Sequence, residues 1–527
     1  MPSRMTTVVH PPQLMHARRL IIASNRGPVE YQLSKDKKLK PRRGAGGMVT
    51  ALIDAGNSMN VTWVAMTMTE GDRIAVKEAS GGLLQSPLRG QDMQLRYVSI
   101  SKAAYRKHYE KISNELLWFL QHYLYDPTQD QESARQLQDA WNNGYCVANQ
   151  AIADAINAEV DREETIMPVV MLHDYHLYLV SSMIRKQHPS IIIQQFIHIP
   201  WPDVRCWHFL PSNIAHAIYS GLVGNDIIGF QTERDARNFL EGARTLLDGA
   251  VVDFEEGAVW WQGHCTRARA YPISISVTEE RRIVNSAAGK RAAEKIKPLL
   301  REHTIMRVDR LEPTKNIIRG FQAYDHVLEK CPDLHGKVTF LAFLVPSRQT
   351  LPAYRRYAAD VFGLIEEINH KYGSEDWTPV QVFADNDRTR ALAAMQYYDV
   401  LLVNPIIDGM NLVAKEGPVV NHRNGVLVLS RTAGAFQQLA KGSIPTSPAD
   451  VSEIANSLYK ALMLSPDERR VKSQIARQAV ERSDLNMWLS RQISDINDLL
   501  DRTSPLPRPV KPQPETTDNE AIIASVG

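Results

Sequence analysis

One stretch of this chain carries cations at a spacing suited to a pyrophosphate. Asp309-Arg310-Leu311-Glu312-Pro313-Thr314-Lys315 follows an apolar, β-rich run. An Arg and a Lys placed there, at a strand's carboxyl end, can clamp a pyrophosphate and neutralise charge on a departing diphosphate. The competing reading is an ordinary surface loop, and the neighbouring run ends argue against it. Val345-Pro346-Ser347-Arg348 and the stretch from Asn404 to Glu416 (NPIIDGMNLVAKE) are polar where packing alone requires nothing of the kind. Asp408-Gly409 is predicted to open a helix whose first-turn N–H groups face the same crevice, with Glu416 about two turns on to accept ribose hydroxyls. A plain helix-surface carboxylate is the alternative for Glu416.

Earlier in the chain, the first apolar run passes directly into Ser24-Asn25-Arg26, and Gly44-Ala45-Gly46-Gly47 precedes a helical stretch over 48–55. Arg26 can fork onto a phosphate, and the glycines let backbone approach a ligand. The basic run Lys37, Lys38, Lys40, Arg42 and Arg43 between them reads as a solvated loop. His173-Asp174-Tyr175-His176 and His198-Ile199-Pro200-Trp201-Pro202 close two further runs. An H-x-x-H pair without a third ligand makes a weak metal signal, and Asp385-Asn386-Asp387 reads as a solvated turn, so no metal and no cofactor are predicted. The chain has no G-x-S-x-G, Walker loop or nucleophilic-Cys context, which excludes the corresponding hydrolase, P-loop and thiol chemistries.

The elements that must position these residues alternate. Short apolar runs over 20–24, 62–66, 169–172, 191–197 and 226–230, then 304–308, 338–344, 380–383, 400–403 and 426–429, are separated by stretches of helical period such as 354–371 and 451–464. That is the pattern of stacked βαβ units on parallel sheets, whose ligands lie beyond the strands' carboxyl ends. An α/β fold of two Rossmann-like halves is expected, the break falling near YPISISV at 271–277, where a proline interrupts a strand-like run. At 527 residues, 44% hydrophobic and 23% charged, the chain can bury substantial cores. Its 61 Lys plus Arg against 59 Asp plus Glu leave no chain-wide electrostatic footprint for nucleic acid. Four scattered cysteines, an N-terminus broken by Pro11 and Pro12, and no apolar run of about 18 residues lead to the expectation of a soluble, cytoplasmic protein without a membrane partner. The Pro-rich tail over 503–527 is excluded from the fold.

Taken together and in order, these segments resemble the trehalose-6-phosphate synthase family, retaining glycosyltransferases of GT-B architecture. The motifs are SNR at Ser24, the glycine pair, Tyr109 and Trp118 within YEKISNELLW, HDYHL at His173, HIPWP at His198, GFQT at Gly229, R-L-x-x-x-K at Arg310, PSR at Pro346, and DGMNLVAKE at Asp408. The resemblance implies a nucleotide-sugar donor, UDP-, GDP- or ADP-glucose, and a sugar-phosphate acceptor. It places Arg310 and Lys315 on the donor diphosphate and Glu416 on the ribose. Asp408, Gly409, Met410, Asn411, Leu412 and Val413 are assigned to the donor sugar. Arg26, Tyr109, Trp118 and Arg348 would hold the acceptor phosphate, with Gly47, Asp174 and His198 lining the reacting centre. It also implies an acceptor domain over 19–275 after an N-terminal extension (1–18), a nucleotide-sugar domain over 276–484, and a helix over 485–502 crossing back to the first. A homo-oligomer is compatible with all of this.

Some positions depart from the family pattern. R-L-D-Y-x-K-G reads here as Arg310-Leu311-Glu312-Pro313-Thr314-Lys315-Asn316, and Ile407 stands where the family carries Arg. These flank the substrates, so related activities stay open: a pseudo-glycosyltransferase joining an activated cyclitol to an amino-cyclitol phosphate, a glucosylglycerol-phosphate synthase, or, from another class, a silent sugar-phosphate sensor. The sensor would have no need of the cationic clamp.

Overall fold

The computed structural model describes residues 18–501 apart from positions 35, 37, 45–59, 80, 81, 89–92, 129–133, 164 and 165. Gly46, Gly47 and the stretches predicted over 1–17, 48–55 and 503–527 lie outside the described residues.

The first half is built on strands β1 (Leu20–Ser24), β4 (Val61–Met66), β5 (Leu83–Gln85), β6 (Met93–Val98), β7 (Val169–His173), β8 (Ile192–Phe196), β9 (Ile227–Phe230), β10 (Val251–Asp253), β11 (Ala258–Trp261) and β12 (His264–Ala270), beside a separate hairpin of β2 (Val29–Leu33) and β3 (Leu39–Arg43). The second half contains β13 (His303–Arg310), β14 (Val338–Val345), β15 (Val380–Phe383), β16 (Val400–Val403), β17 (Val426–Ser430) and β18 (Ser443–Thr446). Every residue of β1, β4, β7, β9, β16 and β17 is buried. Sheets covered by helices on both faces need such unbroken apolar strands.

Strand order decides where ligands can sit. The second sheet runs β15-β14-β13-β16-β17-β18, all parallel. Chain order therefore reverses once, between β13 and β16. In the first sheet the parallel strands run β6-β4-β1-β7-β8-β9-β12 and reverse between β1 and β7. Loops leaving neighbouring strands at a reversal diverge to opposite faces and open a crevice. This α/β molecule is thus two Rossmann-like units of GT-B architecture. The two reversal points carry Ser24-Asn25-Arg26, His173-Asp174, Arg310-to-Lys315 and Asn404-to-Asn411, the segments singled out for chemistry.

The halves touch at these ends. A Cβ on Gly409 would lie 2.2 Å from the His198 carbonyl oxygen, so glycine is what allows that close approach. The helix Leu485–Asp501 returns to the first sheet: Gln194 donates to Gln492 at 2.7 Å, and Trp488 meets the edge of Phe196 at a centroid distance of 5.2 Å. Among the described residues, no helix is long and apolar enough to cross a membrane.

Four expectations need correcting. The basic run at Lys40–Arg43 forms strand β3 rather than a loop, though its side chains do face solvent. The segment 271–276 is extended but pairs in no sheet, and a helix starts at Val277. Antiparallel strands β5, β10 and β11 extend the first sheet beyond its parallel core. The helix expected to open at Asp408-Gly409 opens at Val413, which places Glu416 in its first turn rather than two turns along.

Candidate active site

A cavity of about 880 Å³ lies between the halves, within the size range of small-molecule sites. Its wall brings together Arg26, Tyr109, Trp118, Asp174, His198, Arg310, Arg348 and Asp408. Residues distant in sequence thus converge as expected. Lys315 stands just behind the wall, and Glu416 is held apart by a different arginine.

Arg26, Tyr109, Trp118 and Arg348, expected to hold the acceptor, are ordered by aromatic packing. The helix that carries Tyr109 and leads into Trp118 is of π type over Lys107–Leu117, a widened geometry frequent at functional sites. Tyr109 stacks on His176 at 5.9 Å and receives a hydrogen bond from Arg26 Nη2 at 3.3 Å. Arg348 lies over the Trp118 ring at 4.0 Å and donates to Tyr354 Oη (2.9 Å) and Tyr175 Oη (3.3 Å). Its backbone is left-handed (φ 43°), a conformation sustained by these contacts. Arg310 lies over the same Trp118 ring at 5.6 Å.

Arg310 and Lys315 are each paired with a carboxylate. Arg310 Nη1 is 3.0 Å from Glu312 Oε1, and Lys315 Nζ pairs with Asp408, which also accepts from Asn411 Nδ2 at 3.1 Å. Lys315 holds the Asp408 carboxyl below its ordinary range against the opposing effect of burial. A fully buried brace sets the loop between β13 and Lys315. Arg307 donates to Asp309 Oδ2 (2.8 Å), to the Lys315 carbonyl (3.1 Å) and to the Ile317 carbonyl (3.3 Å). Asn316, in left-handed backbone (φ 55°) where the family has glycine, ties the loop to the carbonyls of Asn404 and Pro448.

Near the centre, Asp174 adopts φ 74° and ψ 176°, a region costly for any residue with a Cβ. Its amide donates to the Phe196 carbonyl at 2.8 Å, and its carboxylate accepts from the His198 amide at 3.3 Å. Burial pushes this carboxyl up to about 7, opposed by the His198 and Tyr175 amides and by Arg348 and Arg310. His198 is driven down to about 3 by burial and so stays neutral, its Nε2 3.3 Å from His173 Nδ1. The pair His173 and His176 remains without a third ligand: no cluster of three metal-binding side chains occurs among the described residues.

Of the remaining residues expected at the donor, Gly409 meets His198, Met410 is buried in the core, and Leu412 and Val413 lead into the helix carrying Glu416. Glu416 Oε1 lies 3.4 Å from Arg388 Nη2, which also pairs with Glu280, so Glu416 is no plain surface carboxylate. Sequence reasoning missed Arg307, Tyr354, Arg388 and Glu280. It quoted Glu312 and Tyr175 inside motifs without giving them work. Tyr175 could have been found, since it sits in HDYH, whereas Tyr354 lies in a stretch that reads as ordinary helix and Arg388 follows a run read as a solvated turn.

Residues 18–498 match the model of glycosyltransferase family 20. The chain is 29% identical over 486 residues to alpha,alpha-trehalose-phosphate synthase [UDP-forming] A of Dictyostelium discoideum, across 91% of this chain and 62% of that protein, so it spans less than two thirds of that relative. It is 28% identical over 485 residues to validamine 7-phosphate valienyltransferase of Streptomyces hygroscopicus subsp. jinggangensis, across 92% of this chain and 95% of the relative. Among solved structures, trehalose-6-phosphate from E. coli bound with UDP-2-fluoro glucose superposes with a TM-score of 0.78 at 28% identity, covering 91% of this chain and 98% of the other. An alpha,alpha-trehalose-phosphate synthase (UDP-forming) from Burkholderia xenovorans in complex with glucose-6-phosphate gives 0.76 at 26% identity, with 91% and 100% covered.

Proposed function

The chain belongs to glycosyltransferase family 20, the trehalose-6-phosphate synthase family, and from that premise we propose that this hexosyltransferase moves glucose from UDP-glucose to glucose 6-phosphate, giving trehalose 6-phosphate and UDP. One observation carries the reading: a single cavity is lined both by Arg26, Tyr109, Trp118 and Arg348 and by Arg310 and Asp408. Two cationic stations in one crevice, adjacent over the Trp118 ring, suit two phosphorylated substrates. The uridine nucleotide is supported by the UDP-forming relative and by the analogue bound in the similar structure.

In this reading Arg310 and Lys315 take the diphosphate, Glu416 the ribose, and Asp408 with the backbone of residues 409–413 the glucosyl group. Arg348, Arg26 and Tyr109 bind the acceptor phosphate, and Trp118 backs Arg348. The C1–oxygen bond to the diphosphate breaks while the acceptor hydroxyl adds to C1 from the same face, and its proton passes to the departing phosphate oxygen. Configuration is retained without a protein nucleophile. Rate enhancement then rests on alignment of the two substrates and on cations that stabilise the leaving group. Neutral His198 and the raised Asp174 carboxyl are suited to hydrogen-bonding sugar hydroxyls, not to carrying a full charge.

A second reading is favoured by the valienyltransferase relative, which shares 95% of its length with this chain. The chain would then couple a nucleotide-activated cyclitol to an amino-cyclitol phosphate. Incubation with UDP-, GDP- and ADP-glucose plus glucose 6-phosphate, followed by mass and anomeric-coupling analysis, separates the two. A disaccharide phosphate with both anomeric carbons α supports the proposal. Failure with every glucose donor, together with turnover of the cyclitol pair, refutes it.

A further inference from the structure

Glu312 carries a carboxylate that pairs with an arginine of each cationic station. Its Oε1 forms an ion pair with Arg310 Nη1 at 3.0 Å and accepts hydrogen bonds from Arg348 Nη1 at 3.2 Å and Ser347 Oγ at 2.7 Å, while Oε2 is buried with no hydrogen-bond partner. The side chain is fully buried, and the two arginines hold its carboxyl down at about 2, so it is anionic. Arg310 and Arg348 both lie over the Trp118 ring, and two guanidiniums so close repel unless a counter-charge joins them. Glu312 supplies that charge through one oxygen, and the guanidinium hydrogens not already donated to Glu312, Tyr354 or Tyr175 face an incoming anion. The two cations are therefore one mechanical unit: whatever orders one orders its partner through the shared oxygen.

We propose that Glu312 is a positioning residue that couples the donor-diphosphate and acceptor-phosphate stations, so that occupying either one pre-orders the arginine of the other and tightens binding there. The inference rests on the substrate reading given above, which assigns Arg310 to one phosphate group and Arg348 to the other. The coupling costs no structural change, because ligand-induced ordering at one end of the Arg310–Glu312–Arg348 bridge lowers the ordering cost at the other. Reciprocity requires the same factor in both directions.

Calorimetric titration of the full chain tests this. For the unaltered protein, saturating UDP is expected to lower the Kd of glucose 6-phosphate about fivefold or more, and glucose 6-phosphate to do the same for UDP. In Glu312→Gln both ligands bind more weakly and the factor falls below about twofold. Glu312→Asp keeps the buried charge, and with it the fold, but withdraws the carboxylate by one methylene, and the same loss of coupling is expected. Thermal melts accompany each titration. A purely structural role would lower the melting temperature and weaken both ligands while leaving the factor unchanged, and that result in either folded variant overturns the proposal. A factor near one in the unaltered chain also overturns it. Inorganic pyrophosphate and inorganic phosphate as the paired probes repeat the measurement without sugar or base. Coupling between those two anions alongside silence from UDP and glucose 6-phosphate would sink the substrate reading and leave the coupling standing.

Discussion

Replacing Lys315 by methionine separates two jobs that the structure gives one ammonium group. Lys315 neutralises Asp408 and, in the proposed reaction, stabilises the leaving diphosphate. The side chains are 12% and 15% exposed. Breaking a fully buried ion pair costs about 3–5 kcal/mol and an exposed one about 0–1 kcal/mol. This pair sits behind a cavity wall, and Asp408 keeps the Asn411 amide at 3.1 Å. The expected loss is therefore intermediate, about 2 kcal/mol, read from urea denaturation at neutral pH. Its pH dependence changes sign. With Lys315 present, the depressed Asp408 carboxyl contributes stability above its unfolded value near 4, lost as pH falls through the folded one. In Lys315→Met the carboxyl is desolvated with no cation, its folded value rises, and the variant loses stability as pH climbs.

Turnover reports the second job. Removing one group that stabilises a developing charge typically lowers kcat by about 10²–10³, or about 3–4 kcal/mol. The double variant Lys315→Met/Asp408→Asn removes the orphaned charge, so its stability is expected to return to within about 1 kcal/mol of the parent while turnover stays low. Steady-state release of UDP measures the turnover. Recovery of activity in the double variant would refute the reasoning, because it would leave Lys315 with no task beyond neutralising Asp408.

Other perturbations probe the supports of the site. The raised Asp174 carboxyl favours the protonated folded state, so its stabilising effect is complete below pH about 4 and disappears as pH rises through about 7. Asp174→Asn should flatten that part of the stability profile, measured as urea midpoints from pH 4.5 to 8, and Asp174→Gly should exceed Asp174→Ala by about 1–3 kcal/mol because of the positive φ. Gly409→Ala forces a methyl against the His198 carbonyl, and a large fall in kcat/KM with an unchanged melting temperature is expected from separation of the halves. Arg307→Met leaves Asp309 buried and unpaired, and about 3–5 kcal/mol of stability should be lost by chemical denaturation.

How much of this could be read beforehand follows from what each signal encodes. The central strand Val400–Val403 is legible because a strand buried on both faces must be apolar throughout, and the partly buried edge strand Val380–Phe383 reads through the single polar residue Gln381. Strand β3 is not, since Leu39–Arg43 lies on an exposed hairpin where charge and Pro41 carry no penalty. Asp408-Gly409 imitates a helix start, but its glycine serves tertiary contact with His198, so the helix begins only after Leu412. The cations of the site were legible for a related reason: a strand end needs no Arg or Lys for packing, so Arg310, Lys315 and Arg348 stand out. Their counter-charges do not. Glu312 looks like any acidic loop residue until strand order brings β13 and β14 side by side, Glu280 looks like an ordinary helix residue, and Asp408, singled out for the sugar, gives no sign that it pairs with Lys315. Pairing is a property of topology, and a local spacing rule cannot report which arginine a buried carboxylate will meet. The chemistry of the crevice was therefore visible as a set of donors, and its wiring emerged only when both sheets were assembled.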